Sequence, residues 1–132
     1  MVIDSSVLMA ILLDEPEAGM FLNHISRDDP KHISAATLLE SQIVALRILG
    51  EEGLRELRVL LQLGQIDSIQ VTPDQIEWAL KGWREFGKGR HQAGLNLGDC
   101  FSYGLARALN VPLLYKGNDF SHTDVLSVAL HR

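Results

Sequence analysis

The stretch Met1-Val-Ile-Asp-Ser-Ser6 decides how the rest of the chain is read. Two apolar residues, Val2 and Ile3, end in an acid, and two serines follow. An apolar run over 7–13 comes next. This predicts a short buried strand that delivers Asp4 to its C-terminal end, then a turn into a helix at Ser5 or Ser6. In open α/β sheets ligands bind outside the carboxyl ends of the strands, so an aspartate there is placed for metal or phosphate chemistry. The same residue is also a preferred helix N-cap. Six residues do not separate the two roles.

Outward from that strand, the pattern alternates between helix and strand. A first helix is expected over 7–13. Asp14-Glu-Pro-Glu17 breaks it and starts a second, with Phe21, Leu22 and Ile25 on one face, because proline and acids suit a first helical turn. His32-Ile-Ser34 reads as a second strand ending on a serine cap. A third helix is expected over 35–49, with Leu39, Ile43 and Leu46 as its core-facing stripe and Gly50 as its stop. A further helix over 51–63 carries Leu54, Leu57 and Leu61. Residues 66–71 read as a strand. Thr72-Pro-Asp-Gln75 is a helix start, and Ile76, Ala79, Leu80 and Trp83 form the stripe that follows. A flexible basic loop over 86–94 leads to a helix over 97–109, with Phe101, Leu105 and Ala108 turned to the core. Residues 112–115 are a compact apolar strand, and 125–130 a possible last one. Strands alternating with helices imply an α/β fold with a parallel sheet covered on both sides.

Composition sets the class. At 132 residues, 46% apolar and 22% charged, the chain reads as one soluble domain over 1–132. The longest apolar run is too short to span a bilayer. Met1 leads straight into the strand without a basic segment, so no signal peptide is expected. The single cysteine, Cys100, excludes an internal disulfide framework and a multi-cysteine zinc site. A cytoplasmic setting is expected. The net charge of −5 argues against a basic nucleic-acid coat but not against a nuclease, since acids that hold cations lower the net charge.

Several acids stand where local chemistry alone does not require them. Asp4 follows the first strand. Asp99 opens a helix in Asn96-Leu-Gly-Asp-Cys-Phe101 and borders a segment without charge. Asp119 follows the last compact strand within Lys116-Gly-Asn-Asp-Phe-Ser121, and Asp124 is a fainter candidate nearby. Each has a plain structural reading, as cap or turn residue. In a parallel sheet, however, those ends lie on one side, and Glu40 joins them if its helix packs there. Carboxylates brought together repel unless a cation neutralises them. An all-oxygen set selects a hard ion, Mg²⁺ or Mn²⁺, and the histidines show no close ligand spacing. A hard cation in an acidic cup suggests phosphodiester hydrolysis.

These segments together resemble the PIN-domain ribonucleases, specifically the VapC toxins of VapBC toxin–antitoxin pairs. The carriers are Val2-Ile-Asp-Ser-Ser6 with Leu12-Leu-Asp-Glu-Pro-Glu17, Ile33-Ser-Ala-Ala36 before Leu39-Glu40, Phe86-Gly-Lys-Gly-Arg-His91, Leu95-Asn-Leu-Gly-Asp-Cys-Phe-Ser-Tyr103, and Pro112-Leu-Leu-Tyr-Lys-Gly-Asn-Asp-Phe120 with Thr123-Asp124. The resemblance covers essentially the whole chain and implies a PIN-like three-layer α/β/α domain. It implies catalysis by Asp4, Glu40, Asp99 and Asp119, with Asp4 and Asp99 holding the principal Mg²⁺ (or Mn²⁺) and Glu40 contributing. Asp119 is the best match for the fourth acid, and Asp124 is its substitute. Ser6 matches a residue that steadies the first acid. The implied reaction is endonucleolytic RNA cleavage leaving a 5′-phosphate and a 3′-hydroxyl. Lys88, Arg90 and His91 are either RNA-phosphate contacts or a solvated basic loop, and Lys116 reaches a phosphate or pairs with a site acid. A VapB-type antitoxin and a toxin homodimer are the implied partners.

Three other readings compete with this one. A dehalogenase-type phosphotransferase wants a second aspartate where Ser6 stands. A receiver-like domain wants an acid at the end of a mid-chain strand, where Thr72-Pro73 stands. A PIN-like binding module without hydrolytic activity is the remaining alternative, for which Asn118 beside Asp119 leaves room.

Overall fold

The computed structural model describes residues 1–129. Strands β1 (Val2–Ile3), β2 (Lys31–Ser34), β3 (Ile66–Ile69) and β4 (Leu113–Leu114) form a parallel sheet in the order β3-β2-β1-β4. β1 is only two residues long, and both are fully buried. A strand covered on both faces has to be apolar on both, which is why Val2-Ile3 runs without alternation. Their side chains still diverge with the pleat. Ile3 joins Ile33 and Leu114 in one core, while Val2 joins Leu113 in the other.

Helices α1 (Ser5–Leu12), α2 (Ala18–Ile25) and α3 (Ala35–Leu63) contribute Val7, Leu8, Phe21, Ile25 and Leu57 to the first core. Helices α4 (Pro73–Phe86) and α5 (Leu97–Leu109) close the opposite face over Leu95, Tyr103, Leu105 and Phe120. The result is a three-layer α/β/α architecture. The chain runs from β1 through β2 to the β3 edge, then crosses back to lay β4 on the far side of β1. The strand order therefore reverses between β1 and β4, the position at which doubly wound sheets open a crevice.

The caps form where local chemistry places them. Asp4 accepts from Ser6 N, Ser34 from Ala36 N, and Thr72 from Gln75 N with Pro73 opening α4. Gly50, at φ 72° and ψ −162°, interrupts α3. Only glycine adopts that conformation readily, so the two expected helices survive as arms on either side of a kink.

The helix faces differ from expectation. Leu39 and Ile43 are 57% and 53% exposed, and Leu46 is also exposed. The inner face of α3 is instead Thr37, Ser41 and Ala45, all fully buried. Short side chains let this helix lie close against α1 and α5, and the larger apolar stripe is left facing out. On α4 the expected stripe divides: Ala79 and Trp83 pack on the core, whereas Ile76 and Leu80 turn outward and Gln75 and Gly82 are buried in their place against α5. The approach is so close that a Cβ on Gly82 would stand 2.5 Å from the Tyr103 ring, and one on Gly104 would stand 2.6 Å from the Gln75 carbonyl oxygen. On α2, Phe21 and Ile25 are buried but Leu22 is exposed; on α5, Leu105 is fully buried, whereas Phe101 and Ala108 are half-buried.

Two strand expectations also change. β3 stops at Ile69 rather than 71. Over 125–129 the chain makes a single parallel bridge, Ser127 to Leu113, rather than a strand, and Leu130 lies outside the described residues. The basic loop is pinned at its neck, where Lys88 N donates to Leu95 O at 2.8 Å and Leu95 N to Phe86 O at 2.9 Å.

Candidate active site

Asp4 leaves β1 at the reversal point and is only 4% exposed. Its backbone N–H still donates to Leu114 O at 3.0 Å, which holds it in line with the sheet. Its carboxylate accepts three hydrogen bonds. Ser6 N and Ser6 Oγ donate to Oδ2 at 3.1 and 2.7 Å, and Ser102 Oγ donates to Oδ1 at 2.6 Å. The residue is thus both the cap of α1 and a fixed, buried acid. Those three donors replace the water a buried carboxylate loses.

Glu40 lies one turn into α3, half-buried, and accepts from Ser5 Oγ at 3.0 Å through Oε1. Its other oxygen lies against α5: a Cβ built on Gly98 would come within 2.3 Å of Glu40 Oε2. Gly98 therefore leaves the space that the glutamate carboxylate fills.

Asp99 is the third residue of α5 and forms a capping box with Asn96. Asn96 N donates to Asp99 Oδ2 at 3.0 Å, and Asp99 N donates to Asn96 Oδ1 at 2.9 Å. A helix N-terminus and its box normally favour the ionised acid. Here the pKa is nevertheless pushed up to about 6, mainly by burial. The Asn96 backbone N–H opposes that rise, and the charges of Asp4, Asp119 and Glu40 add to it. The three acids read from separate parts of the chain thus all bear on one carboxyl group. Asp119 is exposed, just ahead of the 3-10 turn Phe120–His122, and makes no capping bond.

The remaining expected residues divide. Lys116 does not pair with the four acids: its ammonium is held by Glu15 and, at 3.5 Å, by Glu17. Asp124 stands apart as well, taking Arg107 at 2.5 Å and the Tyr103 hydroxyl at 2.7 Å. That pairing holds its carboxyl below the usual range despite the opposing effect of burial. Lys88 and Arg90 are exposed on the pinned loop. His91 turns its Nδ1 inward to accept from Ala93 N at 3.0 Å and sets its ring edge-on to Phe86.

Ser102, Thr37, Ser5 and Gly98 complete the site, and the sequence reading passed over them. A usable signal existed for two: Ser102 is three residues after Asp99, and Thr37 three before Glu40, so each shares a helix face with an acid.

The donors fit a hard divalent cation. They are all carboxylate oxygens, no lysine or arginine neutralises them in the pairs described, and their mutual repulsion is written in the raised Asp99. Among the described residues, no three acidic, histidine or cysteine side chains stand as a ready-made ligand set. A cation at this site would therefore be held partly through water or by carboxylates drawn inward.

The PIN domain family model matches residues 1–126. A VapC ribonuclease of Mycobacterium bovis is 48% identical over 130 residues, covering 98% of this chain and 99% of that protein. The VapC ribonuclease of Mycolicibacterium smegmatis is 46% identical over 128 residues, covering 97% and 99%. Among solved structures, Mycobacterium tuberculosis VapC20, a sarcin-ricin loop cleaving toxin, superposes with a TM-score of 0.76 at 18% identity, covering 96% of this chain and 97% of that one. VapBC2 from Rickettsia felis, bound to a DNA fragment from its promoter, gives 0.75 at 17%, covering 96% and 94%.

Proposed function

The chain belongs to the PIN-domain family, among the VapC ribonucleases, and from that premise we propose that it is a metal-dependent endoribonuclease, the toxin of a type II toxin–antitoxin pair. The observation that carries this reading is the geometry that ties the acid-bearing segments together: Ser5, next to Asp4, bonds Glu40, Ser102 of the Asp99 helix bonds Asp4, and the Glu40 carboxylate fills the space at Gly98. Asp4, Asp99 and Glu40 would hold Mg²⁺ or Mn²⁺. When bound, such an ion supplies an activated water and neutralises charge on the phosphodiester.

The protein's own groups do the rest. Ser6 holds the Asp4 carboxylate from the α1 side, and Ser5 keeps Glu40 turned to the site. Asp119, exposed ahead of the 3-10 turn, adds its charge to the field at Asp99. Water adds to phosphorus and the bond to the 3′-oxygen breaks, leaving a 3′-hydroxyl and a 5′-phosphate. Lys88 and Arg90 contact RNA phosphates from the loop, and His91 takes part only through Nε2, since Nδ1 is engaged.

Partners follow from the exposed apolar surface. Ile76, Leu80, Trp83, Leu97 and Phe101 line an open groove of 510 Å³ between α4 and α5, beside Asp99. A VapB-type antitoxin seated in that groove would lie against Asn96 and Cys100, on either side of Asp99 in the chain. The outward stripe of Leu39, Ile43 and Leu46 gives a toxin homodimer an apolar seam.

The test is RNA cleavage by the purified protein with Mg²⁺ or Mn²⁺, with and without EDTA. Asp4→Asn and Asp99→Asn should each abolish cleavage while the far-ultraviolet circular dichroism is retained. Equal cleavage by Asp99→Asn refutes the assigned site. RNA binding without cleavage on a broad RNA panel assigns the chain to the inert binding module.

A further inference from the structure

Beneath the four acids lies a pair of hydroxyls that the reaction above does not explain. Thr37 and Ser102 are both fully buried, and their oxygens stand 3.3 Å apart. Ser102 Oγ also lies 2.6 Å from Asp4 Oδ1. A serine hydroxyl has one proton, and an ionised carboxylate only accepts. Ser102 therefore donates to Asp4 and must accept from Thr37. The direction of the chain is fixed: Thr37 Oγ1 to Ser102 Oγ to Asp4 Oδ1.

A buried hydroxyl in a helix usually bonds back to a carbonyl one turn earlier. Ser41 does so, donating to Thr37 O at 2.8 Å. Thr37 instead directs its hydroxyl across to another helix. Its position makes that choice consequential. Thr37 is one turn from Glu40 on α3, and Ser102 one turn from Asp99 on α5, so each acid-bearing helix supplies one hydroxyl to the bond that joins them. The chain ends on the third acid. From the other side Ser6 Oγ holds Asp4 Oδ2 and accepts from Lys116 N at 3.0 Å, which ties the same carboxylate to the segment leading to Asp119.

We infer that Thr37 and Ser102 are positioning residues, a buried hydroxyl relay that sets the orientation of the Asp4 carboxylate and locks the Glu40 and Asp99 helices in register around it. This rests on the reading of the acids as a cation-binding cleavage site. Groups that orient a metal-binding carboxylate from behind are worth about 10- to 100-fold in metal affinity or activity. Neither residue touches substrate, so the defect belongs in kcat and in cation affinity, not in KM for RNA.

The experiment compares wild type, Ser102→Ala, Thr37→Val and Thr37→Ser by Mn²⁺ calorimetry, by steady-state cleavage of an RNA oligonucleotide pool and by urea melts. Ser102→Ala is expected to weaken Mn²⁺ binding and lower kcat by about 10- to 100-fold, with KM within about twofold. Thr37→Val should show a smaller loss of the same kind. Thr37→Ser keeps the donor and should recover Mn²⁺ affinity to within about threefold of wild type. Folded Ser102→Ala protein that binds Mn²⁺ and cleaves as wild type does overturns the relay, as does Thr37→Ser that is as impaired as Thr37→Val. If wild type itself neither binds Mn²⁺ nor cleaves RNA, the cleavage-site reading falls instead. The relay is then decided by the urea midpoints of Asp4→Ala, Thr37→Val and the double variant. Non-additive shifts support coupling of Thr37 to Asp4 through Ser102, and additive shifts overturn it.

Discussion

Replacing Gly98 by alanine separates the site from the fold. The position is the second residue of α5 and has no positive φ, so alanine adopts the backbone without strain. On helix propensity alone the change raises stability by about 0.4–1 kcal/mol. The added methyl, however, lands 2.3 Å from Glu40 Oε2 and 3.0 Å from both Cδ and Oε1. Ordinary contact begins near 3.4 Å, so the Glu40 carboxylate must retreat by about an ångström, an amount that costs on the order of 100-fold in rate when it misplaces a reacting arrangement. The retreat is cheap for the fold because the displaced group is the far end of a flexible side chain. It also strains the 3.0 Å bond from Ser5 Oγ, which has no other partner described. The expected outcome is a urea midpoint at or above wild type together with a cleavage rate lower by about two orders of magnitude. Cleavage at the wild-type rate by Gly98→Ala would show that the Glu40 position is immaterial and refute its place in the site.

Other consequences can be measured on the same protein. The Asp99 pKa rises from an ordinary 3.8 to about 6 in the fold, so its contribution to stability is complete below about pH 4 and is lost as pH rises through 6. Without divalent cation, urea midpoints of wild type should fall relative to Asp99→Asn over that window, and saturating Mn²⁺ should remove the fall. A pH-independent difference contradicts the environment assigned to Asp99. Asp119→Asn should depress cleavage, whereas Asp124→Ala should leave the rate intact and lower stability by about 1 kcal/mol, through loss of the Arg107 and Tyr103 contacts. The reverse pattern would make Asp124 the fourth acid. Lys88→Ala and Arg90→Ala should each reduce the salt slope of RNA binding by roughly 0.7, the value of one phosphate contact on a single strand. An unchanged slope would return the loop to a solvated surface.

How far the chain could be read in advance depended on the range of the interactions involved. Caps are local, and Asp4, Ser34 and Thr72 act where their neighbours predict. Hydrophobic period locates a helix but not the side that packs. On α3 the apolar stripe Leu39, Ile43 and Leu46 faces out and the inner side belongs to Thr37, Ser41 and Ala45; on α4 Ala79 and Trp83 of the expected stripe do pack on the core, but Ile76 and Leu80 face out while Gln75 and Gly82 are buried. Small residues at one helical spacing were the missed sign of close approach. The acids were recognisable as exceptions to local need, yet Asp99 meets both descriptions at once, as capping-box member and as crowded carboxyl. The spacing of Ser102 from Asp99 marks it as a neighbour of that acid, but its bond to Asp4, 98 residues away, is visible only in the fold. The fate of Lys116 was open for a similar reason, because Glu15 and Glu17 are distant in sequence.

The pairing of β1 with β4 has a consequence for how such a protein is made. Val2 and Ile3 lie beside Leu113 and Leu114, so the first strand synthesised waits for the last one before its second edge is covered. A ribosome-bound chain that has not yet delivered that strand also lacks Asp119 and the backbone N–H of Lys116 that supports Ser6. Contacts between residues so far apart form late and slowly. The nascent polypeptide therefore lacks one of its four acids until β4 and Asp119 have been made, and β1 stays open along one edge until then.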